Sequence, residues 1–210
     1  TVVLLCTLGV QAQEIDSLYV DSTDNEFSTV HMLDSVFKHV DLLQVPTGIL
    51  IDKALLIANI TDFNGTLHDS NVCSAFLWRR LWASLHRAHV DTAISKDTTE
   101  LYNLVDTLRG YLNAGIVPIT LLNYQYSRIK ENAFENNLFY MEGIQLFDEP
   151  LREENPYENA NCFAAAAATN ESDSLTVHFI VPSLAYFTND TYSIDTLQID
   201  FGDGLGYRTV

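Results

Sequence analysis

The sequence predicts an α+β protein in which an N-terminal helical bundle is followed by a β-rich region. Apolar residues recur at helical spacing in three segments before residue 115, and a capping pattern precedes the third segment. After residue 115 the apolar runs are β-branched and aromatic and have the length of strands. We therefore expect a helical domain over residues 28–114 and a β-rich domain over residues 115–210.

Residues 1–12 have the pattern of the end of a secretory signal peptide. The run TVVLLCTLGV is apolar and uncharged but too short to span a bilayer, and polar, acidic sequence follows it. Val10 and Ala12 occupy the small-residue positions before a cleavage site, so we expect the mature chain to begin at Gln13. The protein is then secreted or held at the cell surface, and a buried first strand is the alternative. Residues 13–27 are acidic and polar, as in a mobile leader.

Three amphipathic helices make up the predicted bundle. The first covers Ser28–Leu43 and the second Asn71–Val90. The third starts with the capping sequence Asp97–Glu100 and ends before Asn113 and Gly115. Helices joined by short connections commonly pack as a bundle. Between the first two, ILIDKALLIANI is a buried helix or strand, which periodicity does not distinguish.

Strand patterns fill the C-terminal half. The long apolar runs are Ile116–Ile129 and Leu138–Phe147, after which ENPYENAN predicts a break. The Ala164–Ala168 run is assigned to a strand because strands surround it. Apolar residues alternate again over Leu175–Val181 and Leu197–Phe201, which is typical of half-buried strands.

The chain is strongly acidic, with 28 Asp and Glu residues against 11 Lys and Arg and a net charge of −17. A nucleic-acid partner is not expected, because phosphate binding needs clustered basic residues and the only local group is Arg79, Arg80 and Arg87. After residue 12 no apolar stretch has the length of a transmembrane helix. The expected partner is therefore an unknown protein or polysaccharide surface.

Two of the three cysteines belong to the predicted mature chain. Cys6 is removed with the signal peptide, whereas Cys73 and Cys162 remain in a compartment where disulfides form. They are either a disulfide, which would join the helical and β-rich domains, or two buried thiols.

The last twelve residues, IDFGDGLGYRTV, contain the most specific motif. Asp203-Gly204 predicts a tight turn after a strand. Residues Asp200–Gly204 match the D-F-G-D-G signature of PKD domains, which this end of the chain resembles, although Ile199 stands where that family has a Trp. The resemblance implies an immunoglobulin-like β-sandwich that is incomplete within these 210 residues. Asp200 and Asp203 are either calcium ligands or caps of backbone amides in the turn.

No pattern predicts a catalytic, cofactor or metal site. His86 and His89 form an H-x-x-H pair with Asp91 nearby, but the Glu of H-E-x-x-H and a third ligand at recognisable spacing are lacking. A solvated helix face is the preferred interpretation. The G-x-S-x-G sequence of an α/β-hydrolase nucleophile does not occur.

Aromatic residues supply the candidate binding surface. Trp78 and Trp82 lie at helical spacing and are expected in the core. Tyr124, Tyr126 and Tyr140 lie on predicted strands and are candidates for stacking on sugars at a surface, with burial in the core as the alternative.

The order of signal peptide, helical region, β-rich region and D-F-G-D-G turn is similar to the start of large modular secreted proteins of Bacteroidetes-type bacteria. This resemblance implies a non-catalytic structural or interaction region that serves adhesion or presentation. The alternative is the accessory N-terminal region of a secreted hydrolase whose catalytic domain lies beyond Val210. A metal-dependent enzyme built on His86 and His89 is a third hypothesis, which predicts bound zinc.

Overall fold

The structure is a computed structural model, which describes residues 2–5, 32–66, 73–90, 99–169, 176–189, 196–200 and 204–209. Its two long helices are α1 (Ala75–Arg87) and α2 (Thr99–Asn113). Residues 32–36 form a shorter helical segment. Single 3-10 turns cover Leu42–Gln44, Ile51–Lys53 and Ser183–Ala185.

The strands of the described residues form three sheets, in which β2 and β5 are the longest members. In chain order they are β1 (Val2–Leu5), β2 (Ile116–Ile129), β3 (Phe139–Glu142), β4 (Gln145–Asp148), β5 (Tyr157–Ala167), β6 (His178–Ile180), β7 (Tyr186–Thr188), β8 (Leu197–Asp200) and β9 (Arg208–Thr209).

Strand β2 is the centre of the largest sheet. On one edge β5 pairs antiparallel with it, from the Ile119–Ala167 pair to the Ile129–Tyr157 pair. On the other edge the short strands β6 and β7 pair parallel with β2, one after the other. The sheet is therefore mixed.

Beyond β7 the second edge of β2 is occupied by segments that are not strands. The Ser127 N–H donates to the Ile49 carbonyl at 2.8 Å, and the Ile129 N–H donates to Asp52 Oδ2 at 2.8 Å. The Gln125 N–H donates to Asn189 Oδ1, also at 2.8 Å. From Gln125 to Ile129 each N–H that points to this edge has a partner, as buried backbone groups require.

Helix α1 packs its apolar stripe on the even-numbered face of β2 and β5. The helix begins where Ser74 Oγ accepts a hydrogen bond from the Leu77 N–H at 3.1 Å. The two indoles of the stripe, Trp78 and Trp82, lie edge-on to Phe187 with ring centroids 5.4 and 6.1 Å apart. The rest of this core includes Leu81, Leu85, Leu122, Tyr126, Cys162, Ala164 and Ala166. Small alanines in β5 leave the volume that the indoles fill.

The predicted helical bundle is wrong. Helices α1 and α2 lie within the predicted segments, but both pack on the sheet, and Leu104 and Leu108 of α2 join the core beneath α1. An apolar stripe shows that a helix buries one face and does not specify whether its partner is a helix or a sheet. The predicted first helix, Ser28–Leu43, is helical only over residues 32–36 of its described part.

The predicted immunoglobulin-like sandwich is also wrong. That architecture packs one antiparallel sheet on another. Here the main sheet is mixed, and α1 and α2 cover one of its faces. The short strands β6 and β7 pair parallel with β2. Short parallel strands have the same alternating sequence pattern as antiparallel strands, so the sequence did not distinguish the two arrangements.

Individual strands follow the sequence more closely than the architecture does. Strand β2 has the predicted bounds, and the Leu138–Phe147 run is a hairpin of β3 and β4. The alanine run is strand through Ala167. The break predicted at ENPYENAN is wrong from Tyr157 onward, because β5 begins there.

A second core lies beneath the β3–β4 hairpin. It joins the hairpin to the region after residue 32 and to the start of β5, through Phe37, Val40, Val45, Leu50, Ala133, Leu138, Phe139, Leu146 and Tyr157. The segment ILIDKALLIANI contributes Leu50 to this core and Ile49, Ala58 and Ile60 to the core beneath α1, and it forms neither an α-helix nor a strand. Ile49 and Leu50 form isolated bridges to His89 and Ser127, and the 3-10 turn Ile51–Lys53 follows them.

The two ends of the chain meet in a third sheet. Strand β1 pairs parallel with β8, and β9 pairs antiparallel with β8. The hairpin of β8 and β9 agrees with the predicted turn, and Gly204 in that turn has φ +80°. Residues 201–203 of the D-F-G-D-G motif lie outside the described residues, so the resemblance to PKD domains stays a prediction.

Residues 6–31 lie outside the described part of the chain, and they include the predicted leader, residues 13–27, and most of the predicted signal peptide. Residues 2–5 form β1, the strand that was the alternative to a signal peptide. Export therefore stays a prediction. None of the described helices combines the length and the apolar character that crossing a membrane requires.

Candidate functional site

One face of the main sheet is covered by the helices, and the odd-numbered residues of β2 and β5 form the opposite face. At its ends this opposite face is apolar and buried, as at Leu121 and Ala165 on one side and Tyr157 on the other. Its middle carries four side-chain amides. We call this group the carboxamide face: Asn123, Gln125, Asn159 and Asn161.

The arrangement of the carboxamide face is set by strand register. Gln125 lies directly opposite Asn161, and Asn159 lies opposite Ser127. Neighbouring strands are about 4.8 Å apart, and alternate residues of one strand are about 7 Å apart. Gln125, Asn159 and Asn161 are exposed, and Asn123 is half-buried. Two exposed amides, Gln125 and Asn161, are thus one strand spacing apart, and Asn159 lies about 7 Å along the strand from Asn161.

Asn159 is held in one orientation by a chain of hydroxyl groups. Ser127, which is fully buried, donates from Oγ to Asn159 Oδ1 at 2.9 Å. Thr47 Oγ1 lies 2.9 Å from the same Ser127 hydroxyl and donates to the Ile49 carbonyl at 3.0 Å. The oxygen of Asn159 is therefore engaged, and its NH₂ group has no hydrogen-bond partner among the described residues.

Asn189 supports the carboxamide face from the side. Its Oδ1 accepts from the Gln125 N–H and its Nδ2 donates to the Gln125 carbonyl, both at 2.8 Å. Nδ2 also donates to the Thr47 carbonyl at 3.3 Å. The side-chain amide therefore takes the place of a strand residue between β7 and the segment at Ile49. This holds the backbone of Gln125 in register.

The two amides at the centre have unused hydrogen-bonding groups. Within the part of the chain that the structure describes, the side chains of Gln125 and Asn161 make no hydrogen bond. Each carboxamide offers two donors and one acceptor oxygen. The centre of the face therefore presents donors and acceptors side by side.

Two phenylalanines border the carboxamide face. The Phe63 N–H donates to the Asn161 carbonyl at 2.7 Å, which brings residue 63 to the outer edge of β5. The rings of Phe63 and Phe163 lie 5.1 Å apart at an interplanar angle of 33°, and both are half-buried. They add apolar surface next to the amides.

Charged groups near β2 and β5 lie on the helix-facing side. Arg128 Nε donates to Glu158 Oε1 at 2.5 Å, and Arg128 Nη2 lies 3.1 Å from Asp62 Oδ2. Tyr126, fully buried, donates its hydroxyl to Asp62. Burial and this hydrogen bond raise the pKa of Tyr126, and the hydrogen bond to Glu158 raises the pKa of Arg128. Arg128 offsets part of the negative charge of the two carboxylates, and the cluster lies on the opposite side of the sheet from the carboxamide face.

No family model, curated protein or solved structure matches this chain. What the protein does must therefore be inferred from the geometry of its own residues.

The three candidate tyrosines do not come together. Tyr126 is buried beneath α1, and Tyr124 is half-buried on the same side, with its ring 6.5 Å from that of His89. Tyr140 is 37% exposed on the β3–β4 hairpin. Its ring stacks on Phe147 at 5.3 Å, and Phe147 stacks on His39 at 4.4 Å. Tyr140 is the one candidate of the three with an exposed ring.

Cys73 and Cys162 belong to the same apolar core and are both free thiols. Cys162 is buried and Cys73 is half-buried. Burial raises the pKa of each thiol to about 12. Since the thiolate is the reactive form, both are unreactive at neutral pH. The predicted disulfide stays a prediction.

The histidine pair lies over the end of α1. His86 stacks on Trp82 at 4.7 Å, and the rings of His86 and His89 are 6.1 Å apart. Asp91 and Asp203 lie outside the described residues, and Asp200 is half-buried at the end of β8. Among the described residues, no three His, Cys, Asp or Glu side chains form a group suited to a metal ion.

Sequence reasoning missed the carboxamide face, although its signal was present. Asn123 and Gln125 are two residues apart, as are Asn159 and Asn161, and this is the spacing of one strand face. The second pair was assigned to a break because Asn favours turns. Only the register of β2 and β5 places the two pairs opposite each other.

Proposed function

We propose that this chain is a non-catalytic interaction region of an exported protein and that the carboxamide face is its contact surface. One observation carries the proposal: two exposed amides with unused hydrogen-bonding groups, Gln125 and Asn161, lie directly opposite each other on one face of the sheet. Export is taken from the signal-peptide pattern of residues 1–12.

The residue types of this face favour a functional interpretation over a structural one. Asn is depleted in strands because its side chain competes for backbone hydrogen bonds. Here Asn123, Asn159 and Asn161 lie inside the two longest strands, and the latter two are exposed. Because Asn159 and Asn161 are exposed, burial of their side chains does not account for amides at these positions. We infer that their side chains contact a ligand.

The chemistry of the face favours binding over catalysis. Carboxamides do not gain or lose protons near neutral pH, so they do not act as general acids or bases. They donate and accept hydrogen bonds, which orients a ligand and gives specificity. The described thiols are unreactive, since burial raises the pKa of both Cys73 and Cys162.

Retention on extracellular surfaces tests the proposal. The labelled protein is incubated with insoluble polysaccharides, whole bacterial cells and immobilised matrix proteins, and retention is compared with that of the Gln125→Ala/Asn161→Ala variant. We expect the variant to bind about tenfold more weakly, since two hydrogen-bonding side chains contribute about 0.5–1.5 kcal/mol each.

The matched control is Asn132→Ala/Asn136→Ala, which removes two exposed amides from the turn before β3. It should be retained like the unchanged protein. Equal retention of both variants, with unchanged circular dichroism, would exclude the carboxamide face as the contact surface.

A further inference from the structure

The charge of the molecule is distributed unevenly around the carboxamide face. The net charge of the chain is −17. Yet the odd-numbered residues of β2 from Ile119 to Ile129, and those of β5 from Tyr157 to Ala165, include no charged side chain. The nearest charged cluster, Arg128 with Asp62 and Glu158, lies toward the helices and is internally paired.

This distribution of charge indicates whether the ligand is anionic, cationic or uncharged. A polyanion would be repelled by the acidic chain, and the face has no basic residue to offset that repulsion. A polycation would find carboxylates elsewhere on the surface and none on this face. An uncharged ligand is the one that matches both the face and its surroundings.

Both edges of β2 are occupied, so an extended peptide does not find a free strand edge beside Gln125. Strand β5 is the outer strand of the sheet, and there the Phe63 N–H donates to the Asn161 carbonyl. Peptides that join a sheet bond to the backbone at a free strand edge. Strand β5 occupies one edge of β2, and β6, β7, Asn189 and the Ile49–Asp52 segment occupy the other. A ligand on this face therefore meets side chains and not backbone groups.

We propose that the carboxamide face binds an uncharged polysaccharide, an inference that rests on the proposed function. A sugar hydroxyl has one donor and two acceptor lone pairs, and a carboxamide has two donors and one acceptor, so adjacent amides satisfy adjacent hydroxyls in both directions. The NH₂ group of Asn159 makes no hydrogen bond within the described residues, and the paired amides of Gln125 and Asn161 offer both donors and acceptors.

The apolar border completes the match to a carbohydrate. Each pyranose ring has a face of C–H groups, which packs against aromatic rings. Phe63 and Phe163 provide such rings beside Asn161, with centroids 5.1 Å apart. With amides repeated about every 7 Å along each strand, the face suits an extended chain of sugar units better than a single small sugar.

Binding of defined soluble polysaccharides tests this inference. Titration calorimetry and affinity electrophoresis compare neutral polymers (a mixed-linkage β-glucan, an arabinoxylan and a galactomannan) with anionic polygalacturonate and hyaluronan and with cationic chitosan. We expect binding to at least one neutral polymer and to neither anionic one. Binding to chitosan should be lost at about 1 M NaCl, because it uses carboxylates elsewhere on the surface. Binding to the neutral polymer should be unchanged between about 0.1 M and about 1 M NaCl, where charge interactions become strongly screened.

Two variants assign the binding to the carboxamide face. Gln125→Glu/Asn161→Asp keeps the shape of both side chains but removes their N–H donors, and we expect the affinity for the neutral polymer to fall at least tenfold. Asn132→Asp/Asn136→Asp adds the same charge at the turn before β3 and should bind as the unchanged protein does. Equal loss in both variants would overturn the assignment.

The remaining outcomes separate this inference from the proposed function. If surface retention depends on Gln125 and Asn161 but no neutral polymer binds or competes, the proposed polysaccharide ligand is wrong, whereas the carboxamide face is still the contact surface. If protease treatment of the surface abolishes that retention, the occupant is a protein. If neither surface retention nor polymer binding depends on the two amides, both proposals fail.

Discussion

The two faces of the main sheet differ in what their residues do, although the same strands build both. On the helix-facing side, Trp78, Trp82 and Tyr126 are almost fully buried in a continuous core. On the other side the middle of the sheet carries exposed amides, of which Gln125 and Asn161 make no hydrogen bond within the described residues. In the middle of β2, neighbouring residues therefore differ in role: Tyr126 stabilises the fold and Gln125 faces solvent.

This difference separates residues that the fold needs from residues that it tolerates. A buried aromatic side chain contributes through the apolar area that it removes from water. An exposed amide in a strand contributes little to stability and is disfavoured by its backbone preference. Substitutions on the two faces should therefore have opposite effects on stability and on binding.

The largest effect is expected for Trp78→Ala on the helix-facing side. Trp78 is 2% exposed and contacts Phe187, so its removal leaves a cavity that should lower the free energy of unfolding by about 3–5 kcal/mol. Urea unfolding followed by circular dichroism measures the change. Phe76→Ala on the same helix, where Phe76 is 56% exposed, is the matched control and should change stability by less than about 0.5 kcal/mol. Similar losses in the two variants would show that α1 does not pack as described.

Local elements of the fold were predictable from sequence, and their assembly was not. Helix α1 has an N-cap and an apolar stripe, and β2 has a long β-branched run, so each follows from short-range preferences. The surface on which α1 packs is built by the pairing of β2 with β5, whose paired residues are between 28 (Ile129 and Tyr157) and 48 (Ile119 and Ala167) positions apart, and no local pattern encodes it. This is why a bundle and a sandwich were predicted where a helix-covered mixed sheet forms.

The candidate site was hidden for the same reason. Tyr140 was correctly placed on a strand, but the burial of Tyr126 depends on α1 lying above it. The amide pairs had a readable spacing of two residues, yet ENPYENAN also contains strong turn formers, and these dominated the prediction. Only the strand pairing shows that Asn161 faces Gln125.

The next largest effect is a loss of stability at high pH, caused by the two buried thiols on the helix-facing side. Burial raises the pKa of Cys73 and Cys162 from 9.0 to about 12. The unfolded thiols ionise first, so stability is complete below pH 9.0 and declines as the pH rises toward about 12. Urea unfolding under reducing conditions between about pH 8 and about pH 10 measures the slope, which should be smaller in the Cys73→Ala/Cys162→Ala variant. Identical slopes would mean that the thiols are solvated.

A moderate effect is expected for Asn189→Asp, at the edge that supports the carboxamide face. The new carboxylate still accepts from the Gln125 N–H, but its second oxygen faces the carbonyls of Gln125 and Thr47 in place of a donor. We expect the free energy of unfolding, measured with urea, to fall by about 1–2 kcal/mol at neutral pH. Most of this loss should be restored at a pH where the new carboxyl group is protonated, because it can then donate to a carbonyl. Asn136→Asp adds the same charge at an exposed turn and isolates the hydrogen-bond effect. Equal stability of the two variants would contradict the strand-like role of Asn189.

The smallest effect on stability, and the sharpest contrast between the faces, is expected for Asn161→Thr. Thr is favoured in strands and Asn is disfavoured, on a scale that spans about 1 kcal/mol, so the variant should be as stable as the unchanged protein or up to about 0.5 kcal/mol more stable. Its retention on extracellular surfaces should nevertheless fall, because the amide opposite Gln125 is lost. Retention and urea unfolding are measured on the same preparation. A variant that loses stability and keeps its retention would place Asn161 with the residues that hold the fold, and the two faces would no longer differ in role.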